Sequence, residues 1–260
     1  MTDIISRILA QVEGRAARAR PVEICIGAHW TFVGMEVDGK LQGGLASTLS
    51  GTSHDHHHGG KPPVRDAANL LSYSAFSLAS LINSDSLLEA SVGMAAVNAL
   101  LEVDEQACTE VNAADVIARR AAGREAAVVG HFPFVPSLRE SAGKLWVLEL
   151  NPGPGDLPAA RAPEILPRAD VVALTGTSLL NKTFEGLIEL CREDAFVIIL
   201  GATAPLSTVF FDVGVDAVAG TLVVDPAVAL QAVKQAATFR QIPGKRLLTL
   251  FKDRAAAEDD

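Results

Sequence analysis

The spacing of apolar residues predicts a helix, then strands, then further helices in the first half of the chain. Helical spacing runs over residues 2–20 and returns over 65–82 and 85–101. Three segments rich in β-branched residues, with a turn at Asp38-Gly39, predict an antiparallel meander: 22–28, 31–37 and 41–46. Polar residues 102–112 predict a linker, so we expect a small α+β domain over residues 1–110.

The second half alternates helices with strands that are apolar throughout. The strands are predicted at 126–129, 145–150, 171–175, 196–200 and 217–221. The helices are predicted at 113–122, 135–142, 179–191 and 226–238. Strands without a polar face are typical of a parallel sheet that helices cover on both sides. The predicted fold class is therefore α/β, with a Rossmann-like parallel sheet in a domain over residues 111–260.

Composition adds limits on partners and location. The 260 residues are enough for two domains, and the net charge of −9 argues against nucleic acid or an anionic membrane as a partner. The three cysteines are scattered, without a C-x-x-C pair, which favours a reducing compartment. The apolar runs are too short to span a bilayer, and the N-terminus has no signal-peptide pattern. We expect a cytoplasmic protein.

Each strand of the second half runs into a turn that contains glycine or polar side chains. In a parallel sheet these turns gather at one edge, where ligands bind. Ordinary turn and helix-cap chemistry is the alternative explanation for the same residues. The candidate ligand-binding residues are Gly130, Asn151, Thr175, Gly176, Thr177, Ser178, Asn181, Thr183, Gly201 and Thr203. The N–H groups at the start of the helix near Thr177 are expected to favour a carboxylate or phosphate.

His131 and Glu149 are the candidate acid–base residues, since each lies at the end of a predicted strand. A hydrogen-bonded structural role is the alternative for a single histidine. The string Gly153-Pro154-Gly155-Asp156 lacks the third glycine and the helix start of a nicotinamide-binding fingerprint. A P-loop motif is also absent from the sequence. The acidic residues Asp216 and Asp225 are further candidates for a ligand or metal near the sheet edge, although Asp225 also fits a helix cap.

A histidine-rich tract lies in a predicted loop over residues 52–60 and contains four of the six histidines. Imidazoles beside a carboxylate in a glycine-flanked loop bind Zn, Ni, Co or Cu ions. The candidate metal ligands are His54, Asp55, His56, His57 and His58. A solvated loop with incidental metal affinity is the alternative, because no H-E-x-x-H or fixed Cys/His spacing accompanies the tract.

Four ordered blocks of the second half resemble those of a known family: Val129-Gly130-His131-Phe132-Pro133, 169–178 with Asn181 and Thr183, 200–206, and 210–221. They resemble the "putative heavy-metal chelation" domain of bacterial and archaeal proteins of unknown function. Residues 43–46 and 89–99 resemble the domain that precedes it, which is similar to the N-terminal domain of enolases. The resemblance implies a cleft between the two domains, a homodimer, and links to metal or corrinoid handling. It supplies no established catalytic residues, and the histidine tract is not part of its pattern.

Two classes of function follow from these observations, and a structural subunit with a vestigial cleft is a weaker third. The first is binding of a transition metal or a small anionic metal-related ligand in the interdomain cleft, with the histidine tract capturing or delivering the ion. The second is an enzyme of cofactor biosynthesis, a transferase or lyase, with His131 or Glu149 as acid or base.

Overall fold

The structure is a computed structural model that describes residues 3–50 and 62–253. The strands within these residues are β1 (Ala19–Ile26), β2 (Trp30–Val37), β3 (Lys40–Ser47), β4 (Cys108–Thr109), β5 (Glu125–Val129), β6 (Lys144–Glu149), β7 (Leu157–Pro158), β8 (Val171–Thr175), β9 (Phe196–Leu200), β10 (Ala217–Val223) and β11 (Lys245–Phe251). The α-helices are α1 (Ile4–Ala16), α2 (Ala75–Ala79), α3 (Leu87–Leu100), α4 (Ala113–Ala121), α5 (Val135–Ser141), α6 (Ala162–Ile165), α7 (Thr177–Leu180), α8 (Phe184–Ile188) and α9 (Pro226–Lys234). None of these helices is long and apolar enough to cross a membrane.

The chain divides into two compact units. Unit 1 contains Met1–Val103 and Thr221–Arg246, and unit 2 contains Asp104–Gly220 and Leu247–Asp260. The predicted domains are consecutive, whereas residues 221–246 return to unit 1. They do so because Val223 pairs with Gly43 of β3, and because Ala229 and Val233 of α9 pack into the apolar cluster around Phe32.

The sheet of unit 1 is the predicted antiparallel meander of β1, β2 and β3. The hairpin between β2 and β3 closes through Asp38 and Gly39, both with positive φ, which is the backbone of the tight turn expected there. The first helix is shorter than predicted. It ends at Ala16, and the next strand already begins at Ala19, so Pro21 lies within β1. An edge strand tolerates proline, and the register shifts just after it.

Helix α3 packs closely on its neighbours through small residues, as its sequence predicts. A methyl group added to Gly93 would lie 2.0 Å from the Ile82 nitrogen, and one on Gly44 would lie 2.0 Å from the Ala95 carbonyl oxygen. The single helix predicted over 65–82 is wrong. The chain forms short turns at Leu70–Ser72 and Ser80–Asn83 with α2 between them, because the Ser74 hydroxyl caps a new helix start.

Unit 2 contains the predicted parallel sheet. Its strands follow the order β10-β9-β8-β5-β6-β7, and each adjacent pair is parallel. The sheet core is built from small and branched residues, as the low aromatic content requires; it includes Val128, Val147, Ala173, Ile198 and Ala217. The mixed α/β class with a largely parallel sheet is confirmed. Strands β4 and β11, which pair antiparallel at Thr109 and Thr249, were not predicted.

Candidate functional site

The strand order of unit 2 reverses between β5 and β8. From β5 the chain first adds β6 and β7 on one side, then returns to add β8, β9 and β10 on the other. Strands β5 and β8 are neighbours, but the chain leaves β5 toward β6 on one side of the pair and leaves β8 toward β9 on the other side. A crevice at such a reversal is where doubly wound sheets bind ligands. The turn after β5 begins with Gly130, and the turn after β8 begins with Gly176.

These two turns and the turn after β9 are in close contact. A methyl group on Gly130 would lie 3.0 Å from Thr175 Cβ, and Gly130 has a φ of 101°. A methyl group on Gly176 would lie 2.5 Å from the Ala204 backbone nitrogen. Glycine at these positions allows backbone and side chains from three strand ends to meet. The structure thus brings together the predicted residues Gly130, Thr175 and Gly176.

The hydroxyl groups after β8 are engaged with one another and with the backbone. Thr175 Oγ1 lies 3.0 Å from Thr177 Oγ1, and the buried Ser178 hydroxyl donates to the Thr175 carbonyl oxygen at 2.6 Å. Ser178 therefore fixes the turn, as expected if it has the turn and helix-cap role that is the alternative to ligand binding. Thr175 and Thr177 are only half-buried, so their hydroxyls are candidates for contact with a ligand.

The long helix predicted over 179–191 is wrong. The chain forms the single turn α7 and then α8, because Lys182 takes a left-handed conformation with a φ of 60°. The Asn181 side chain stabilises this break, since its Oδ1 accepts from the Thr183 N–H and hydroxyl at 3.2 and 2.7 Å. The expected anion site at the start of a long helix loses its basis, because a single turn has little dipole. Asn181 is half-buried and Thr183 is exposed, so both remain candidate contacts for a ligand.

The remaining predicted turn residues lie at neighbouring strand ends. Gly201 follows β9 with a φ of 114°, and its carbonyl oxygen accepts from the Ala204 N–H at 3.0 Å. Thr203, in this turn, is buried. Asn151 is exposed after β6. Gly201 and Thr203 thus shape the turn that meets Gly176, whereas Asn151 faces solvent.

His131 is held by two carboxylates, Glu149 at the end of β6 and Asp156 in the turn that follows it. Its backbone N–H donates to Glu149 Oε1 at 2.7 Å, and its ring Nδ1 lies 3.1 Å from Asp156 Oδ2. The Asp156 side chain is 4% exposed, whereas that of His131 is 53% exposed. The Gly153 N–H donates to the same oxygen of Asp156 at 3.1 Å. A buried carboxylate thus orients an imidazole that is more than half exposed.

Asp156 was missed as a site residue. Its sequence context, Gly153-Pro154-Gly155-Asp156, resembles only an imperfect nucleotide-binding fingerprint. Its pairing with His131 depends on the tertiary approach of two turns that are 25 residues apart. The available signal was a carboxylate in a glycine- and proline-rich turn directly after a strand, which favours hydrogen bonding to backbone N–H groups.

The three acidic candidates have backbone hydrogen-bonding roles. Both oxygens of Glu149 accept backbone N–H groups, from His131 at 2.7 Å and from Leu150 at 3.0 Å. Asp225 caps α9 through the Val228 N–H, as its alternative role predicts. Asp216 accepts the Val197 N–H at 2.8 Å just before β10 begins, so it lies at the amino ends of the strands, opposite the candidate site.

An apolar rim adjoins His131. The Phe132 and Phe134 rings stack with centroids 5.2 Å apart, and both are half-buried. Leu150 is 65% exposed, and its N–H and that of His131 bond to the same Glu149 carboxylate. The site therefore presents one imidazole edge beside apolar side chains.

The described residues do not supply a complete metal site. Among residues 3–50 and 62–253, no three His, Cys, Asp or Glu side chains are grouped so that they could hold one metal ion. The candidate ligands His54, Asp55, His56, His57 and His58 lie outside the described residues. Burial raises the pKa of the Cys191 thiol to about 12, so Cys191 is protonated at neutral pH and makes a poor metal ligand.

These features define an α/β protein with a candidate ligand site at the strand ends of its parallel sheet. Residues 112–252 match the model of the DUF364 family, described as "Putative heavy-metal chelation". The chain belongs to this family, which confirms the resemblance drawn from its sequence blocks. Residues 11–101 match a second model, DUF4213, with the same description. The likeness of the first half to enolases stays a prediction.

Similar proteins extend over nearly the whole chain. An uncharacterized protein of Methanocaldococcus jannaschii is 26% identical over 243 residues, which is 91% of each chain. A DUF364 protein of unknown function from Pyrococcus horikoshii has a crystal structure that superimposes with a TM-score of 0.79 at 20% identity, covering 96% of this chain and 100% of that one. Another, from Desulfitobacterium hafniense, gives 0.76 at 26% identity, covering 95% and 98%.

Proposed function

We propose that this protein binds a transition metal or a small anionic, metal-related ligand at the strand ends of unit 2. The observation that carries the proposal is the convergence of three turns at the reversal of strand order, where Gly130 meets Thr175 and Gly176 meets Ala204. Crevices of this kind bind ligands in other parallel sheets. The description of the two matching families supports a metal as the cargo.

The ligand contacts proposed are the accessible polar groups of these turns. Thr175 and Thr177 offer hydroxyls, Asn181 offers its amide, and His131 offers a ring edge. Ser178, Thr203 and the glycines shape the turns. The tract His54–His58 captures or delivers the ion in this proposal, in keeping with the chemistry of its side chains.

Native mass spectrometry with elemental analysis of the purified protein tests the proposal. We expect a bound metal or a metal-containing small molecule, and the same spectrum reports whether the chain forms the proposed homodimer. Thr177→Val removes a hydroxyl at the site with little change of shape, so the bound fraction should fall at least tenfold. Thr109→Val, in β4 and outside these turns, is the matched control. Equal ligand content in both variants would contradict the proposal.

The role of the histidine tract is tested separately. Replacing His54, His56, His57 and His58 together with alanine removes its imidazoles and leaves the strand-end turns intact. Isothermal titration with Ni²⁺ should then show loss of ion binding. Variant protein that is loaded with ligand before purification should still carry this ligand at the strand-end turns. Unchanged Ni²⁺ affinity would remove the tract from the proposed function.

A second candidate function is catalysis on a small metabolite of cofactor biosynthesis. The observation that favours it is the pair of His131 and Asp156, because a carboxylate that orients an imidazole is the arrangement of a general base. Glu149 fits this role less well, since both its oxygens accept backbone N–H groups. A purely organic copurifying ligand that the protein converts, with turnover lost and binding kept in His131→Ala, would support catalysis over binding alone.

A further inference from the structure

Within the described residues, the ring of His131 makes one hydrogen bond, through Nδ1. Asp156 Oδ2 accepts from its Nδ1 at 3.1 Å, and a carboxylate oxygen accepts without donating, so Nδ1 carries the proton of the neutral ring. The other nitrogen, Nε2, then holds a lone pair. The side chain is 53% exposed, so a ligand can reach the ring.

Asp156 is itself fixed in place. Its side chain is 4% exposed, its Oδ2 accepts the Gly153 N–H at 3.1 Å, and its own N–H donates to the Gly153 carbonyl oxygen at 3.0 Å. The tight turn therefore orients the carboxylate before any ligand arrives. A histidine that binds metal through one nitrogen commonly donates its other N–H to such a carboxylate.

The part of the chain that the structure describes does not complete a metal site around this imidazole. Structural and catalytic zinc sites use three or four protein ligands, but the described part of the chain groups no three metal-binding side chains. Glu149, the other carboxylate bonded to His131, accepts the backbone N–H groups of His131 and Leu150. One oriented nitrogen suits a metal whose other coordination positions are already filled.

We propose that the ligand of unit 2 is a metal ion already held by an organic chelator, and that His131 Nε2 takes an open coordination position of this complex. Asp156 is the positioning residue for the ring. The chelator rests against the apolar rim of Leu150, Phe132 and Phe134. This inference rests on the proposed function and gives its ligand a chemical class: a metal chelate rather than a bare ion.

The histidine content of the chain allows a sharp test. Replacing the four histidines of the tract with alanine leaves only His29 and His131 in the full chain. His29 is exposed and lies before β2 in unit 1, so His29→Ala is a matched control. The probe is Cu²⁺–nitrilotriacetate, whose chelator leaves an in-plane position open. Its electron paramagnetic resonance spectrum reports whether an imidazole nitrogen binds the copper.

In the protein whose four tract histidines are replaced with alanine, we expect the chelate to bind, with a spectrum that shows coupling of the copper to the nitrogen of one imidazole. His131→Ala should remove the coupling and weaken binding at least tenfold, whereas His29→Ala should change neither. Asp156→Ala should keep the coupling but weaken binding by roughly 10- to 100-fold, the usual effect of removing the partner of a metal-binding histidine. Circular dichroism checks that each variant is folded.

Each contrary result has a defined meaning. Binding of bare Cu²⁺ at least as tight as that of the chelate, and dependent on His131, would overturn the chelate as the ligand class. The role of His131 would be overturned if the protein without the tract histidines did not bind the chelate, or if His131→Ala left chelate binding unchanged. If Thr177→Val still loses the copurified ligand in those cases, the proposed function stands without this inference. If Thr177→Val keeps the copurified ligand as well, both the proposed function and this inference fail.

Discussion

A buried carboxylate holds an exposed nitrogen-bearing side chain in each of the two units, yet only the imidazole of the second pair can offer a lone pair to a ligand. In unit 1, Glu89 is 3% exposed and its partner Arg65 is 70% exposed. In unit 2, Asp156 and His131 show nearly the same contrast. Burial of the carboxylate alone therefore does not distinguish a structural pair from a candidate site.

The two pairs differ in how many hydrogen bonds the carboxylate receives. Glu89 accepts from the Arg65 backbone N–H, from two of its guanidinium nitrogens and from the Ser84 hydroxyl. These contacts tie residue 65 to α3. Among residues 3–50 and 62–253, Asp156 accepts from Gly153 and His131, and the His131 ring is hydrogen-bonded through Nδ1 alone. The first arrangement stabilises a chain segment, and the second orients a group toward a ligand.

The largest expected effect is on the stability of unit 1. Glu89→Ala removes the buried acceptor of the Arg65 N–H groups and of the half-buried Ser84 hydroxyl, so we expect a loss of about 2–3 kcal/mol in the free energy of unfolding. Urea denaturation measures it. Glu36→Ala, which removes the exposed partner of Arg20, is the control and should cost less than about 1 kcal/mol. Similar losses in the two variants would show that Glu89 is no more than a surface ion pair.

The dependence of stability on pH sharpens the same contrast. Hydrogen bonds from the Arg65 guanidinium lower the pKa of Glu89 to about 2 from its ordinary value of 4.5. A lowered pKa contributes stability that is complete above the ordinary value and is lost as the pH falls toward 2. Between pH 6 and pH 3, the wild type should therefore lose about 2 kcal/mol more than Glu89→Gln, because the glutamine does not titrate.

Urea denaturation at both pH values provides this comparison. Asp3 and Asp170, whose pKa values hydrogen bonds also lower, are present in both proteins, so their contributions cancel in the difference. Parallel pH profiles for wild type and Glu89→Gln would rule out Glu89 as the source of acid sensitivity.

The parts of the fold that the sequence predicts are those with a strong local signal. The apolar strands of unit 2 and the Asp38-Gly39 hairpin match the structure closely. Strand β4 has two residues and pairs with β11, about 140 residues away, so no local pattern reveals it. The broken helices follow from side-chain caps at Ser74 and Asn181, which compete with an otherwise helical spacing.

The candidate site divides in the same way. Gly130 and Gly176 follow apolar strands, so their positions at the sheet edge follow from the sequence. The engagement of Ser178 and Glu149 with the backbone does not, because it depends on the exact path of each turn. The pairing of His131 with Asp156 requires two turns to meet, which chain spacing does not encode.

The smallest expected effect concerns the stability contribution of His131. Its ring is mostly exposed and makes one side-chain hydrogen bond, so His131→Ala should change the free energy of unfolding by less than about 0.5 kcal/mol. Asp156→Ala should cost about 1–2 kcal/mol, because the Gly153 N–H loses its acceptor. Both are measured by urea denaturation without ligand. A loss in His131→Ala as large as that in Asp156→Ala would mean that the ring is a structural element like Arg65, and the contrast between the two pairs would disappear.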